Sequence, residues 1–298
     1  MLDVRKLALL REVALHGGVT AAALSLNISP SAVSQQLTRL ESETGVPLTV
    51  ALGRGIQLTQ AAHDLVARTE EVLALLESAE AALTEARAGL SGTVKLAAFH
   101  TFSMTALGAT VTALQRLAPG VEIEFVELDP EHALTELSAR RADIALVDEY
   151  PGLPLPPGRG LVRSLVVREA VHAYLPRPDS DPARVAWAAE PRHSDSFVWM
   201  RSVCRSAGFE PNVRFESPDF HVHRHLVEQG LAAAFLPQSV GAGLDHALVT
   251  DVNRGKPMHR SLYTLVRRGT ERSPVIAACQ SAIFETTVAA AGTAPLRS

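Results

Sequence analysis

At 298 residues the chain exceeds one typical domain and suits two or three, and its 47% hydrophobic and 20% charged residues supply sizeable cores, which excludes wholesale disorder. A net charge of −4 excludes a globally basic nucleic-acid coat, so any DNA-binding part has to be local and dimeric, or only modestly electrostatic. Two cysteines, Cys204 and Cys279, exclude a disulfide framework and fit a reducing, cytoplasmic setting; no apolar run reaches the roughly 18 residues of a membrane span, and the charge-laced N-terminus does not read as a signal peptide.

Residues 3–16 predict a helix with Leu7, Leu10, Val13 and Ala14 on one face and Arg5, Lys6, Arg11 and Glu12 elsewhere, stopped at Gly17-Gly18. A short alanine-rich helix follows, with Thr20 as its cap, and residues 27–29 form a turn. In SPSAVSQQLTRL (29–40), Ser29 suits the N-cap and Pro30 the first helical position. Val33, Leu37 and Leu40 face a core, leaving Ser31, Ser34, Gln35, Thr38 and Arg39 outward, nearly all uncharged and able to hydrogen-bond. Two short helices, a tight turn and a polar-faced helix make the helix-turn-helix pattern. Residues 45–58 read as a hairpin, or wing, with its tip at Gly53-Arg54-Gly55.

Residues 59–90 predict one long helix opened by Thr59. Ala62, Leu65, Thr69, Val72, Leu76, Ala79, Leu83, Ala86 and Leu90 alternate in steps of three and four, the seam of a coiled coil, while Glu70, Glu71, Glu77, Glu80, Glu85 and Arg87 keep the other faces wet. Such a helix would span about 45 Å, more than a small domain needs.

Beyond residue 90 the period changes. Strands are predicted at 94–99, 121–128 and 142–150, alternating with helices over about 103–117 and through EHALTELSARR, an order that implies parallel pairing. After the Pro/Gly-rich loop 151–160 come two strand-like runs, 161–167 and 171–176, then DSFVWM (195–200), a helix over 201–207, and a strand at 213–217. A helix around 219–229, apolar runs at 231–237 and 246–252, a strand at 261–267 and a final helix over 274–291 complete the series. The alternation suggests two α/β lobes with a cleft between them.

This order resembles the LysR-type transcriptional regulators over essentially the whole chain. The most specific part is TAAALSLNISPSAVSQQLTRLESETGVPL followed by GRGIQLTQAA: Ser34, Leu40-Glu41, Gly45, Leu48, Gly53-Arg54 and Leu58-Thr59 stand where the family pattern puts them. Three positions depart from it. Thr49-Val50-Ala51 replaces a Phe-Glu-Arg, so wing contact with phosphate would rest on Arg54; Ala62 replaces a Gly, favouring helix; Gln35 replaces an Arg, altering base preference.

The resemblance implies an α/β protein with a winged helix-turn-helix domain at 1–58, a dimerising linker helix at 59–90 and a two-lobed, periplasmic-binding-protein-like effector domain at 91–298. Lobe I would take about 91–162 and 267–298, and lobe II about 163–266. The implied partners are promoter DNA, a small-molecule effector and further copies of the chain, as a dimer and then a tetramer, with no membrane. Thr20, Ser29, Ser31, Ser34, Gln35, Thr38, Arg39 and Arg54 would meet DNA, with Gln35 suited to an adenine edge and Thr38 and Arg39 to the backbone. The effector cleft would draw on Thr101, Ser103, Asp148, Ser194, Ser196 and Phe197, and also on His221 and His223.

Asp148-Glu149 hints at a ligand amine. His221, His223 and His225 do not form a metal set, since i and i+2 point apart on a helix. No cofactor is implied, and no nucleophile, phosphate-loop or metal motif assembles, which argues against an enzyme. A two-lobed solute-binding or transport-associated protein is the alternative.

Overall fold

The computed structural model describes residues 2–52, 55–85, 90–155, 158 and 160–292. They divide into two compact units; one runs to Leu83 and includes Arg268–Thr270, and the other holds the rest. In the first unit, α1 (Val4–Leu15), α2 (Val19–Ser25) and α3 (Pro30–Thr44) precede an antiparallel hairpin of β1 (Thr49–Leu52) and β2 (Gly55–Leu58), and α4 (Gln60–Glu85) follows. Leu7, Leu10, Val13, Ala22, Ala23, Val33, Leu37, Leu40, Leu48 and Ala62 form its core. The small Ala22 and Ala23 let α2 pack closely on its neighbours. The Ser29 Oγ accepts from the Ala32 N–H at 3.2 Å, and Gly45, at φ 66°, ends α3 in the left-handed region.

Two expectations change here. Thr20 is not a cap: α2 starts one residue earlier behind Gly18, so Thr20 lies exposed inside the helix. Arg11 and Glu12 are buried, not outward. The Arg11 guanidinium donates to Glu12 Oε1 at 2.6 Å and pairs with Glu70 on α4, so charge neutralisation replaces solvent. Glu77, expected wet, is also buried. α4 is opened by Thr59, whose Oγ1 accepts from the Ala62 N–H at 3.2 Å, but it is described only to Glu85, and Leu90, expected to close its seam, is not helical and packs on the core of the second unit. Of its seam, Ala62 and Thr69 are buried, whereas Val72, Leu76 and Leu83, with Leu75, are exposed; Ala86 lies outside the described residues.

The second unit is α/β. β3 (Ser91–Ala98), α5 (His100–Thr105), α6 (Leu107–Leu117), β4 (Gly120–Glu127), α7 (Pro130–Ser138) and β5 (Ile144–Glu149) build the first lobe, with β3 parallel to both β4 and β5 as their alternation with helices requires. The predicted helix 103–117 is two helices, α5 and α6, broken at Ala106. The two runs 161–167 and 171–176 are one strand, β6 (Leu161–Tyr174). Arg168, Glu169 and Ala170 between them keep pairing with the strand later in the chain, so polar content did not interrupt the ladder.

β7 (Ala186–Ala189), α8 (Asp195–Ala207), β8 (Asn212–Glu216), α9 (Phe220–Glu228), β9 (Ala234–Pro237), α10 (Gln238–Gly241) and β10 (Val249–Thr250) make the second lobe, before β11 (His259–Arg267) and α11 (Pro274–Ala290) return to the first. DSFVWM is helical: Ser194 caps α8 by accepting from the Phe197 N–H at 3.2 Å, and Phe197, Trp199, Met200 and Val203 are buried along it. The 246–252 run holds a short 3-10 turn and only two strand residues.

The large sheet runs β10-β6-β11-β5-β3-β4, with β9 also on β6. β6 pairs with β11 over residues 161–170 and with β9 over 171–174, so a single strand serves both lobes. Among the described residues no single helix is long and apolar enough to cross a membrane.

Candidate functional site

On α3 the apolar stripe is spent on the core, and Ser31, Ser34, Gln35, Thr38 and Arg39 are all exposed. The Ser29 and Ser31 hydroxyls are 2.9 Å apart, and the Thr38 hydroxyl turns back to the Ser34 carbonyl at 3.0 Å. Gln35 and Arg39 thus carry the long, uncommitted donors of this face. Arg54 lies outside the described residues.

Glu41, whose part the sequence did not disclose, fixes the hairpin against α3. Its Oε1 accepts from the Leu48 and Thr49 N–H groups at 2.8 Å and from the Thr49 hydroxyl at 2.9 Å. Burial pushes its carboxyl up, but these three donors outweigh it and hold it below the usual range. Thr49, one of the family departures, therefore has a job on the protein side.

In the second unit a cavity of about 380 Å³ opens between the ends of β3, β4 and β5 and the starts of α7, α8 and α9. Its wall contains Phe99, His100, Thr101, Glu127, Asp148, Tyr150, Glu190, Ser194, Ser196, Phe220 and Arg260. Crevices at strand carboxyl ends are where open α/β sheets bind small molecules.

The floor is ionic. Arg260, 1% exposed, reaches Glu169 Oε2 at 2.7 Å and Asp148 Oδ2 at 3.1 Å, and Glu169 Oε1 accepts from the Ser239 N–H at 2.7 Å. Burial pushes Asp148 up against the opposing pull of Arg260. Burial also drives Glu190 up to about 7, with the Ser196 hydroxyl beside it as partial relief. Tyr150, buried next to Asp148, is held well above the ordinary phenol value.

Of the residues the sequence suggested for this cleft, Thr101, Asp148, Ser194 and Ser196 line the cavity and four do not. The Ser103 hydroxyl is turned to Glu127 Oε2 at 2.5 Å. Phe197 is buried among Trp199, Met200 and Phe235. His223 is buried, its Nε2 donating to the Ser217 carbonyl at 2.9 Å; burial depresses its pKa and keeps it neutral. His221 lies next to it on α9 with no place in the wall. The amine hint from Asp148-Glu149 does not survive in that form, since Asp148 faces Arg260 and Glu149 faces Arg163.

Arg260, Glu190, Tyr150 and His100 are the additions. Arg260 had one legible signal: in HRSLYTLVR it shares the buried alternate face with Leu262 and Thr264.

Comparison with known proteins bears on both units. The family model described as "Bacterial regulatory helix-turn-helix protein, lysR family" matches residues 4–63, and the "LysR substrate binding domain" model matches residues 87–286. The chain belongs to the LysR family. It is a DNA-binding transcriptional regulator with an effector-binding region, and nothing supports the solute-transport alternative.

Among similar proteins, the "Probable HTH-type transcriptional regulator LrrA" of Synechococcus elongatus is 27% identical over 248 residues, covering 80% of this chain and 81% of its own. The "HTH-type transcriptional regulator CbbR" of Rhodospirillum rubrum is 23% identical over 278 residues, covering 91% and 92%. A full-length OxyR variant from Pseudomonas aeruginosa shares the fold at a TM-score of 0.63 and 17% identity, covering 97% of this chain and 96% of its own.

In this LysR-family regulator both thiols are buried, Cys204 on α8 and Cys279 on α11, and burial pushes each up to about 12. Neither is a nucleophile at neutral pH.

The regulator also ties its lobes with an imidazole. His100 Nδ1 is 2.9 Å from Glu127 Oε1, and Nε2 is 3.1 Å from Asp219 Oδ1 at the start of α9. Burial lowers the His100 pKa, but the two carboxylates together raise it above its ordinary 6.5. A raised value means the stabilisation is full below pH 6.5 and is lost as pH climbs through the folded value. The unfolding temperature of the effector region should therefore fall between about pH 6 and pH 9, and less so in His100→Gln; an unchanged pH profile in the variant would remove the tie.

Proposed function

We propose that α3 enters the major groove of promoter DNA, with Gln35 reading a base edge and Ser31 and Ser34 adding short contacts, while Ser29, Thr20, Thr38, Arg39 and Arg54 serve the backbone. The observation that carries this is the exposed, polar, sparsely charged face of α3 above an apolar stripe fully used by the core. Residues 1–58 hold five basic side chains (Arg5, Lys6, Arg11, Arg39, Arg54) against four acidic ones (Asp3, Glu12, Glu41, Glu43), and Arg11 is buried, so one copy holds DNA weakly. Affinity then comes from pairing two reading heads through α4, whose Val72, Leu75, Leu76 and Leu83 stand exposed, and further association through the α/β region gives the tetramer.

The cavity beside Thr101, Asp148, Ser194 and Ser196 is the effector site. Closing on a ligand would change the relative angle of the lobes and, through the oligomer, the bend imposed on DNA. The setting is cytoplasmic and the protein catalyses nothing; its relatives are transcriptional regulators.

Gel shifts with the chain's own upstream region test the reading head. Gln35→Ala should cost about 1–3 kcal/mol at the preferred site, roughly 5- to 150-fold, and relax preference at one base. Equal weakening on every sequence would assign Gln35 to the backbone instead.

A further inference from the structure

The walls of the inter-lobe cavity select the sign of its ligand. Carboxylates border it at Glu127, Asp129, Glu131, Asp148, Glu190 and Asp195. Against them stand Arg260, already between Glu169 and Asp148, and the imidazoles of His100, His132 and His193; His100 faces Glu127 and Asp219, and His132 faces Asp129.

Helix N-termini ordinarily welcome an anion. Here α7 and α9 are capped by Asp129 and Asp219, which accept from the His132 and His221 N–H groups, and α8 carries Asp195 in its first turn. An incoming carboxylate would meet one N–H of α7 and one of α9 already taken by an aspartate, and like charge beside all three helix starts. In the floor, one guanidinium faces three carboxylates, those of Asp148, Glu169 and Glu190. The aromatic rings of Phe99, Tyr150 and Phe220 complete the wall; Phe99 and Phe220 already face the Arg260 guanidinium at 5.3 and 6.0 Å, so Tyr150 is the ring left to meet a ligand cation.

We propose that the effector is a small organic cation, whose protonated amine or guanidinium seats against Glu190 and Tyr150 within the 380 Å³ cavity. This rests on the reading of the cavity as the effector site. Glu190 is the anchor because its neighbour is a neutral Ser196 hydroxyl, while Asp148 and Glu169 already share Arg260.

The groups facing Glu190 are Asp148 on β5, Tyr150 just beyond it, Arg260 on β11, His100 on α5 and Ser196 on α8. With its carboxyl near 7, a bound cation holds Glu190 ionised and releases a proton. Acidification works against the cation twice, by neutralising Glu190 and by charging His100. Between pH 8 and pH 6 affinity should fall about tenfold or more.

The test uses the full chain in calorimetric titrations and thermal shifts with putrescine, agmatine and L-arginine against succinate and benzoate, at pH 6 and pH 8. At least one cation should raise Tm, bind about tenfold more tightly at pH 8, and in Glu190→Gln lose about tenfold or more of its affinity together with most of its pH dependence, the His100 part remaining. If Glu190→Gln does not fold, judged by its unliganded Tm, the pH comparison on the unaltered chain decides. Binding of succinate or benzoate alone, or of none of the five, overturns the cation. A cation bound equally at both pH values overturns it as well. Binding of either sign that survives Ser196→Trp, which puts an indole into the cavity beside Glu190, removes the cavity as the effector site and so defeats the underlying reading separately.

Discussion

Arg260→Ala should destabilise the effector-binding region by about 3–5 kcal/mol, the cost of breaking a buried ion pair from one side. The guanidinium is 1% exposed and bridges Glu169 on β6 and Asp148 on β5, so its loss strands Glu169 away from water and leaves Asp148, at the cavity wall, without its counter-charge. The measurement is urea unfolding of the full chain, followed through the transition of the α/β region. The deficit should shrink as pH falls, because burial raises the Asp148 pKa and, once protonated, that carboxyl no longer needs a counter-charge. Arg260→Lys should recover part of the loss, keeping the charge while giving up the forked geometry. A loss below about 1 kcal/mol would mean that the three strands are held together by their ladders and packing alone.

Placing glutamates on α4 at Leu76 and Leu83 together should convert the dimer to a monomer and weaken promoter binding by about 10²- to 10⁴-fold, the range expected when a linked second site is lost. Both leucines are exposed, at 46% and 68%, and lie seven residues apart, one heptad, on a helix whose Ala62 and Thr69 are already buried. Two copies meeting along that stripe would set the introduced carboxylates against each other in a desolvated seam. Sedimentation velocity reads the oligomer and a gel shift reads the affinity. A double variant that sediments as a dimer at micromolar concentration would move the interface away from α4.

The first unit was nearly all legible from residues 2–85 because its signals are local. Caps, the Asn27 turn (φ 54°), Gly45 and the three-four apolar spacing each act within one or two turns of chain. What was misread there was the buried pair Arg11–Glu12, since charge on an amphipathic helix reads as solvent-facing until a partner such as Glu70 arrives from 59 residues away.

The effector region was legible as alternating strands and helices, and the Asp148 strand end pointed to the cavity. Its ionic floor was not, because Arg260 meets Asp148 across 112 residues and Glu169 across 91, through a strand register that no local pattern encodes. The same holds for Glu190, whose significance comes from the groups it faces rather than from its neighbours in sequence. Ser103 and Phe197 illustrate the converse. They lie beside the right strand and helix starts, but one hydroxyl is occupied by Glu127 and one ring fills a core.

The strand common to both lobes sets the kind of motion an effector can produce. β6 is 14 residues long and stays laddered on β11 and then on β9, with one irregularity where Val166 has no partner opposite. An extra residue in a ladder adds local twist without cutting the ribbon. Rotation of one lobe against the other is then torsion of a continuous elastic strip, spread over many peptide units, in place of a swing about a free joint. Such a spring returns when the load is removed and resists large excursions, so this regulator would answer its signal in small, graded angles.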